Sequence, residues 1–402
     1  MTADAARFVP ADRVRNLPPY VFARLFQMRD EALARGRRVF DMGVGNPDGR
    51  PPEHVVQALV DAVHAPAGGV HRYSTFNGSP ALRRAIAGWY ARRFGVALDP
   101  DRQPLPLIGS KEGLANLMRA TLNVGDTIII PSPCYPAYFG AARLCEARVH
   151  EMELRADRGF RPDFAAIPAD VAASARMLLL NYPNNPTGGT CELALYEAAL
   201  AFCDRHDILL VSDIAYSELS LEREWSPPSL LQVPGAAARA IEFQSLSKSH
   251  NMAGWRVGFA AGCPEVIAAL GRLKSNVDFS LFGAVQAAAC AALDGPQEVC
   301  AANAARYRRR RDLVLGAWRD LGWELPVPRA TMYVWGRVPR AYGGDDNAFV
   351  ADLLAQTGVL LTPGSGFGTY GQGCVRASLG IDEAELAAAM TACRAAKIDW
   401  AG

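Results

Sequence analysis

The chain has 402 residues, of which half are hydrophobic and 21% are charged, a composition that predicts a folded globular protein. Lys and Arg number 42 against 41 Asp and Glu, so the near-neutral charge offers no basic surface for nucleic acid or for an anionic membrane. No stretch approaches the ~20 apolar residues that a membrane-spanning helix needs.

The N-terminus and the cysteines point to a cytoplasmic protein. The opening MTADAARFVP mixes charge with proline and lacks the apolar core of a signal peptide. The nine cysteines are scattered and contain no CxxC pair, which favours reduced thiols over a disulfide framework or a zinc site. We therefore expect a cytoplasmic location and no metal site.

From about residue 78 to 278, helical segments alternate with short apolar runs. Residues 81–95 place apolar side chains at helical spacing. Continuous apolar runs are typical of strands covered on both faces of a mainly parallel sheet, and they occur at 126–133, 175–183, 207–216, 240–247 and 256–263. This alternation of helices and strands predicts an α/β fold with a large doubly wound domain over residues 51–295.

After residue 295 the pattern changes to a long helix at 298–322, further strands and a last helix. It predicts a smaller α+β domain over residues 296–402, joined by the N-terminal segment 1–50. The run RYRRRRD (306–312) lies in the long helix. We interpret it as a solvated helix face rather than a nucleic-acid site, because the total charge is close to zero.

Three candidate ligand-binding segments follow predicted strands or turns. In GSKEGLANL (109–117), the backbone N–H groups of Ser110, Lys111 and Glu112 could hold a phosphate, although most such turns are simple helix starts. The prolines and glycines of NYPNNPTGG (181–189) could simply form a turn, or the asparagine amides could bind a ligand. Asp213 follows a buried run, where a carboxylate needs a cationic partner, and Tyr216 could reach the same ligand.

The fourth segment is SLSKSHNMAGWRVGFA (245–260). Lys248 stands alone among small hydroxyl residues, where desolvation would lower its pKa and make it nucleophilic towards carbonyls. Ser245 and Arg256 suit a phosphate. Each residue taken singly could be structural. Together the four segments describe one ligand with an aldehyde, a ring nitrogen, a phenolic oxygen and a phosphate, namely pyridoxal 5′-phosphate.

NNPTGG, SDIAYSEL and SLSKSHNMAGWRVGF stand in the order and spacing of the fold-type I aminotransferases of class I and II, which the chain resembles over nearly its whole length. LPPYVF, DMGVGNPDG, HRYSTFNG and TMYVWGRVP are most similar to the bacterial alanine (glutamate–pyruvate) branch, with the diaminopimelate aminotransferases as near relatives. SNVDFSLFGAVQ (275–286) departs from the alanine branch and is partly similar to the diaminopimelate branch.

The resemblance implies a role for each matching residue. Lys248 would bind the cofactor aldehyde covalently and move a proton between the substrate Cα and C4′. Asp213 would pair with the ring nitrogen, Tyr135 would stack on the ring, and Asn185 and Tyr216 would bind the 3′-oxygen.

The resemblance also implies a phosphate site and a substrate site. The phosphate would be held by Ser110, Lys111, Ser245 and Arg256, joined by Tyr73 from the other subunit of a homodimer with shared active sites. The substrate would lie against Asn185, with its α-carboxylate bound by the guanidinium of Arg376 and the backbone of Gly45.

The expected activity is ping-pong transfer of an amino group from an L-amino acid to a 2-oxo acid, with alanine and glutamate as the expected donors. One alternative is another reaction with the same cofactor: β- or γ-elimination, replacement or carbon–carbon bond formation. A second is a cofactor-binding regulator, which would carry an N-terminal helix-turn-helix domain. We expect no such domain here, because the resemblance begins at about residue 17.

Overall fold

The computed structural model of the protein describes residues 8–66 and 69–401. Its helices are α1 (Asp12–Arg15), α2 (Val21–Ala34), α3 (Glu53–His64), α4 (Pro80–Phe94), α5 (Ser110–Thr121), α6 (Ala137–Leu144), α7 (Ala169–Ser174), α8 (Leu193–His206), α9 (Leu246–Ser249), α10 (Pro264–Lys274), α11 (Gly283–Asp294), α12 (Glu298–Asp320), α13 (Asp346–Thr357) and α14 (Glu383–Ala395). Its strands are β1 (Phe40–Asp41), β2 (Pro104–Leu107), β3 (Thr127–Ser132), β4 (Arg148–Glu153), β5 (Ala175–Asn181), β6 (Leu209–Asp213), β7 (Ala240–Ser245), β8 (Gly258–Gly262), β9 (Tyr333–Arg337), β10 (Val359–Leu360), β11 (Thr362–Pro363) and β12 (Cys374–Ser378).

A seven-stranded sheet in the order β2-β8-β7-β6-β5-β3-β4 forms the centre of the protein. The pairs from β4 to β7 are parallel, and β8 runs antiparallel to both of its neighbours. The expectation of a large, mainly parallel, doubly wound α/β sheet is confirmed. Strands β2 and β4 were not predicted, because PLPL and RVHEME are not continuous apolar runs.

Strand β5 shows why the central strands are apolar throughout. Leu178 and Leu180 pack into a hydrophobic cluster with α4 and α8, whereas Met177 and Leu179 pack into another cluster with α5 and α6. Successive side chains of a strand point to opposite faces, so a strand covered by helices on both sides needs an unbroken apolar run.

Helix α4 is delimited by local sequence signals. The side chain of Ser79 accepts a hydrogen bond from the N–H of Leu82 at 3.2 Å, and Pro80 occupies the first turn. The helix ends at Gly95, whose φ of 68° lies in the left-handed region that glycine adopts without a steric cost. The helix predicted at 81–95 is confirmed within one residue at each end.

A third hydrophobic cluster contains residues from 25–42, 216–221 and 307–400, beside the three-stranded sheet β11-β12-β9 and the parallel pair β1-β10. Its members come from the N- and C-terminal parts of the chain and from a short segment after β6. The proposed domain boundaries at 50/51 and 295/296 stay a prediction.

The arginine run in α12 is only partly a solvated face. Arg310 is 3% exposed and donates two hydrogen bonds to the carboxylate of Asp48, at 3.0 and 2.6 Å. Arg309 is exposed and pairs with Glu383. The expectation was wrong for Arg310, because in a 23-residue helix at least one position of any four-residue run faces the protein interior.

The described residues contain neither a membrane-spanning helix nor a cluster of metal-binding side chains. None of the helices combines the length and the apolar composition required to cross a bilayer. No group of three or more His, Cys, Asp or Glu side chains within residues 8–66 and 69–401 is placed to bind a metal ion. The nine cysteines form no disulfide.

Glu242 is a fully buried carboxyl group in β7. It accepts hydrogen bonds from the hydroxyls of Tyr90 and Ser229 and from the N–H of Leu230, at 3.0, 2.6 and 2.8 Å. Burial raises the pKa of Glu242 from 4.5 to about 7, since the ionised form loses its hydration. The folded protein therefore holds a proton that the unfolded chain releases at lower pH.

We expect Glu242→Gln to gain stability relative to the wild type as pH rises from about 5 to 8. A raised carboxyl pKa stabilises the folded state at low pH, and this contribution is lost between 4.5 and about 7. The loss is roughly 3 kcal/mol at most, because one pKa unit corresponds to about 1.4 kcal/mol. Urea unfolding of both proteins at pH 5, 6, 7 and 8 measures it. A difference in unfolding free energy that is constant with pH would contradict this assignment.

Candidate active site

A cavity of about 310 Å³ lies at the carboxyl ends of β5, β6 and β7. In a parallel sheet this edge is where loops from several strands meet and where ligands bind. The predicted site residues that line the cavity are Gly45, Ser110, Lys111, Tyr135, Asn185, Asp213, Tyr216, Ser245, Lys248, Arg256 and Arg376.

Lys248 lies in the one-turn helix α9 directly after β7. Its ammonium nitrogen Nζ donates a hydrogen bond to the carbonyl oxygen of Gly45 at 2.6 Å. Burial lowers the pKa of Lys248 from 10.5 to about 7, with further lowering by the positive charges of Arg376 and Arg256. At neutral pH the amine of Lys248 is therefore uncharged in a large fraction of the protein molecules, as a nucleophile or base requires.

Asp213, the last residue of β6, is buried and is held by two donors. The hydroxyl of Tyr138 donates to Oδ2 at 2.7 Å, and the N–H of Ala215 donates to Oδ1 at 3.1 Å. Burial is the larger effect and raises the pKa of Asp213 from 3.8 to about 6. Within the described residues no cation forms an ion pair with this carboxylate, so a positively charged ligand atom would stabilise it.

The turn before α5 lies close to the loop after α9. Gly109 has a φ of 80°, and a Cβ at this position would lie 2.3 Å from Nη2 of Arg256. A Cβ on Gly258 would lie 2.9 Å from the backbone nitrogen of Ser110. Two glycines thus allow an arginine and the start of a 12-residue helix to come together, which is a suitable arrangement for a phosphate.

Asn185 lies in the NNPTGG loop after β5. Asn181 holds this loop, because its Oδ1 accepts a hydrogen bond from the N–H of Asn185 at 2.9 Å and its Nδ2 donates to the carbonyl of Asp213 at 2.8 Å. The sequence left open whether this segment is a turn or a source of ligands. It is a tight turn, and it also directs one amide side chain into the cavity.

Arg376 on β12 is 1% exposed, and its guanidinium is fixed by two hydrogen bonds. Nη1 donates to Oδ1 of Asn185 at 2.9 Å, and Nη2 donates to the carbonyl of Gly43 at 2.6 Å. The guanidinium carbon lies 4.2 Å from the ring centre of Tyr333 and 4.8 Å from that of Phe367. This environment supplies no carboxylate from the described residues, so the site suits an anionic ligand.

Tyr216 and Tyr333 connect the large sheet to the small one. Their hydroxyl oxygens lie 2.9 Å apart. A Cβ on Gly45 would lie 1.9 Å from the hydroxyl oxygen of Tyr333, so only glycine allows the backbone to approach the site this closely.

Two predicted residues lie outside the cavity. The carboxylate of Glu112, in the first turn of α5, does not line the cavity and accepts a hydrogen bond from Nζ of Lys274 on α10 at 3.0 Å. Tyr73 is 92% exposed and packs on Phe279. The prediction for Glu112 concerned its backbone N–H at the phosphate turn and not its carboxylate, so it stays a prediction. The role of Tyr73 requires a second subunit and stays a prediction.

Several residues of the site were not predicted. Tyr138 and Asn181 hold Asp213 and the NNPTGG loop, while Tyr333, Tyr20 and Phe22 contribute aromatic surface to the cavity. Tyr138 stands three residues after Tyr135 in CYPAY, a helical spacing that could have placed both on one face. Tyr20, Phe22 and Tyr333 lie in the segments LPPYVF and TMYVWGRVP, which contributed only to the resemblance.

The residues present fit pyridoxal phosphate. The cavity contains one lysine that can be uncharged, a buried carboxylate without a cation, and a helix start beside an arginine. The Nε of Arg376 is buried and has no hydrogen-bond partner among the described residues, so the guanidinium retains a donor for a ligand. This set of donors and acceptors matches an aldehyde, a ring nitrogen, a phosphate and a substrate carboxylate.

Comparison with known proteins shows similarity over almost the whole chain. A sequence model of the family described as aminotransferase class I and II matches residues 37–392. An LL-diaminopimelate aminotransferase of Desulforudis audaxviator is 46% identical over 95% of this chain and 96% of its own length. One from Nitratidesulfovibrio vulgaris is 43% identical over 96% and 98%.

Solved structures give the same result. The apo structure of BacF from Bacillus subtilis superposes with a TM-score of 0.94, at 34% identity, over 98% of this chain and 100% of its own. A probable N-succinyldiaminopimelate aminotransferase from Thermus thermophilus gives a TM-score of 0.87, at 39% identity, over 93% and 99%.

Proposed function

Since the chain belongs to the class I and II aminotransferases and is a pyridoxal-phosphate-dependent transaminase, we propose that its amino donor is LL-diaminopimelate and its acceptor a 2-oxo acid. The observation that carries this proposal is that relatives 40–46% identical over 93–96% of the chain bear that donor in their names. None of these relatives is named for alanine or glutamate, so LL-diaminopimelate replaces these two amino acids as the proposed donor.

We propose that the residues around the cavity hold the cofactor as the resemblance implied. When bound, pyridoxal phosphate supplies an aldehyde that exchanges amino groups and a ring that draws electrons from the substrate Cα. The carboxylate of Asp213 would keep the ring nitrogen protonated, and Tyr138 orients that carboxylate through a 2.7 Å hydrogen bond. The remaining proposed contacts are Tyr135 on the ring, Asn185 and Tyr216 at the 3′-oxygen, and Ser110, Lys111, Ser245 and Arg256 at the phosphate.

Lys248 is proposed to be the covalent attachment point and then the base that moves the proton from the substrate Cα. A pKa of about 7 suits this task, because the amine both accepts and releases a proton near neutral pH. The carbonyl of Gly45, 2.6 Å from Nζ, orients the free amine.

Arg376 is proposed to bind the α-carboxylate of the substrate. The hydrogen bonds to Asn185 and Gly43 and the surrounding rings of Tyr333 and Phe367 hold the planar guanidinium in one orientation. A carboxylate bound by such a prearranged group loses little further entropy on docking, which fixes the Cα relative to Lys248.

A second candidate donor has an apolar or aromatic side chain. Tyr20, Phe22, Phe26 and Val44 line the cavity, and Asp213 is the one carboxylate among the described lining residues. If Asp213 binds the cofactor, the distal ammonium of diaminopimelate requires a partner from outside this set, such as the other subunit. An apolar donor would need no such partner.

The test is the absorption spectrum of the cofactor-loaded protein after separate additions of LL-diaminopimelate, L-phenylalanine, L-leucine, L-alanine and L-glutamate. We expect LL-diaminopimelate to convert the band of the bound cofactor to that of its amino form, and a 2-oxo acid to restore it. Conversion by phenylalanine or leucine alone would select the second candidate. Conversion by alanine or glutamate alone would contradict both.

We also propose that the protein is a homodimer with shared active sites, in which Tyr73 lies at the interface. A tyrosine that is 92% exposed and packs on the partly exposed ring of Phe279 belongs to an apolar surface that a second copy would cover. We propose that the hydroxyl of Tyr73 reaches the phosphate site of the other subunit.

A further inference from the structure

Lys274, at the end of α10, is completely buried and holds two carboxylates. Its Nζ donates to Glu112 at 3.0 Å and to both oxygens of Asp278, at 2.9 and 3.0 Å. The side chain is 0% exposed. The side chains of Glu112 and Asp278 are 20% and 16% exposed. A fully buried lysine held by two partly buried carboxylates is costly relative to apolar residues of the same size, so the arrangement calls for a reason other than stability.

The Glu112 end of this triad fixes the turn in front of α5. The carboxylate of Glu112 also accepts hydrogen bonds from the N–H of Ile108 at 2.9 Å and from Nδ2 of Asn116 at 2.6 Å. Ile108 directly precedes Gly109 and Ser110, which lie at the proposed phosphate site. The carboxylate therefore ties the backbone on both sides of that turn to Lys274.

The Asp278 end fixes the loop 275–282. This loop belongs to the segment 275–286, whose sequence departs from that of the alanine branch. The carbonyl of Lys274 accepts hydrogen bonds from the N–H groups of Val277, Asp278 and Phe279, each at 3.0 Å. Phe279 has a φ of 63°, a conformation that is uncommon for a bulky residue and is kept only where neighbouring contacts impose it. The ring of Phe279 packs against that of Tyr73, with 5.3 Å between centres.

Gln286 provides a second anchor for the same surface. Its Nε2 donates to the hydroxyl of Ser74 at 3.2 Å and to the carbonyl of Leu281 at 2.8 Å, and its Oε1 accepts from the N–H of Ser79 at 2.7 Å. The segment that carries Tyr73 and the loop that carries Phe279 are thus joined to each other as well as to Lys274.

From these contacts we propose that Lys274 is a positioning residue for two cofactor sites at once, acting through Glu112 on the phosphate turn of its own subunit and through Asp278 and Phe279 on the tyrosine that enters the partner subunit. This inference rests on the proposed cofactor site and the proposed homodimer. Its physical basis is that one buried cation joins two loops that share no direct hydrogen bond to each other among the described residues.

The first test measures the affinity of the apoprotein for pyridoxal phosphate in Glu112→Gln and Asp278→Asn. Each variant leaves Lys274 with one charged carboxylate partner. Removing the residues that orient metal ligands typically lowers metal affinity about 10–100-fold, and by analogy we expect each variant to raise the dissociation constant of the cofactor about tenfold or more. Equilibrium titration followed by absorbance gives the constant, and thermal unfolding of the same samples gives the stability.

The matched control is Glu242→Gln, which alters another buried carboxyl group of the same sheet domain, outside the cavity lining. It should change the unfolding temperature without changing the dissociation constant of the cofactor by more than about twofold. An equal loss of cofactor affinity in this control would show that changing any buried carboxyl group of the sheet domain suffices, and would overturn the inference.

A double-mutant cycle separates the two ends of the triad. If Asp278 acts through Tyr73, Tyr73→Phe should have little further effect on the dissociation constant in the Asp278→Asn background. In the Glu112→Gln background the effect of Tyr73→Phe should be the same as in the wild type. Additive effects in both backgrounds would overturn the proposed connection through Phe279.

Failure of this inference differs from failure of the proposed function. Wild-type affinity in both Glu112→Gln and Asp278→Asn would overturn the positioning role while leaving the cofactor site intact. A wild-type protein that does not bind pyridoxal phosphate at all would overturn the proposed cofactor site itself, and the positioning role with it.

Discussion

Lys248→Ala is expected to lower kcat by at least about 10³-fold for any amino donor. The variant loses the amine that attaches the cofactor and the base that moves the Cα proton, and a positioned acid or base alone typically contributes 10²–10⁴-fold. Steady-state transamination with LL-diaminopimelate and 2-oxoglutarate measures the change. Thermal unfolding of the apoprotein should show no loss of stability, because burial lowers the pKa of Lys248 to about 7 and a lysine with a lowered pKa opposes folding at neutral pH.

Lys397→Ala is the matched control, since this lysine is exposed near the C-terminus and lies outside the cavity. Borohydride reduction followed by peptide mass spectrometry adds a readout independent of turnover. The cofactor should be fixed to the peptide with Lys248 in the wild type and in Lys397→Ala, and to none in Lys248→Ala. A labelled peptide that contains Lys111 or Lys274 instead would contradict the assignment.

Arg376→Leu should give the second-largest effect, a fall of about 10²–10³-fold in kcat/KM for the amino donor. Removing one partner of a buried charge-assisted contact typically costs 2–5 kcal/mol. Arg376→Lys should restore only a small part of it, because a lysine cannot keep the hydrogen bonds to both Asn185 and Gly43 and still bind a carboxylate with two donors.

The dissociation constant of the cofactor should stay within about threefold of the wild-type value in both Arg376 variants, since the proposed phosphate contacts lie elsewhere. Added guanidinium ion should partly restore the activity of Arg376→Ala by occupying the space between the rings of Tyr333 and Phe367. An Arg376→Leu enzyme with unchanged kcat/KM would show that the substrate carboxylate binds at another residue.

Much of the fold could be predicted from local patterns. The strands β3, β5, β6 and β8 are largely apolar runs because helices cover both faces of the sheet, and such runs are visible without a structure. Strand β7 was also predicted, although it contains Glu242 and Gln244. The edge positions β2 and β4 were missed, because two prolines in one and alternating polar residues in the other do not give the same pattern.

By itself the sequence also determined which residues follow the strand ends. Asp213 is the last residue of β6 and Lys248 lies in the turn of helix that follows β7. Neighbouring parallel strands bring their carboxyl ends together whatever the remaining packing. For that reason these residues, with Asn185, could be grouped into one site before any distance was known.

Only the tertiary structure decided the contacts between residues distant in sequence. The hydrogen bond from Tyr138 to Asp213 joins residues 75 positions apart, and the one from Lys274 to Glu112 joins residues 162 positions apart. The guanidinium of Arg376 lies 5.4 Å from the ring centre of Phe22, at the other end of the chain. No short-range periodicity encodes such pairs, because they depend on how helices and sheets pack. Glu112 illustrates the difference: its position at a helix start was readable, but the direction of its side chain was set by the lysine across from it.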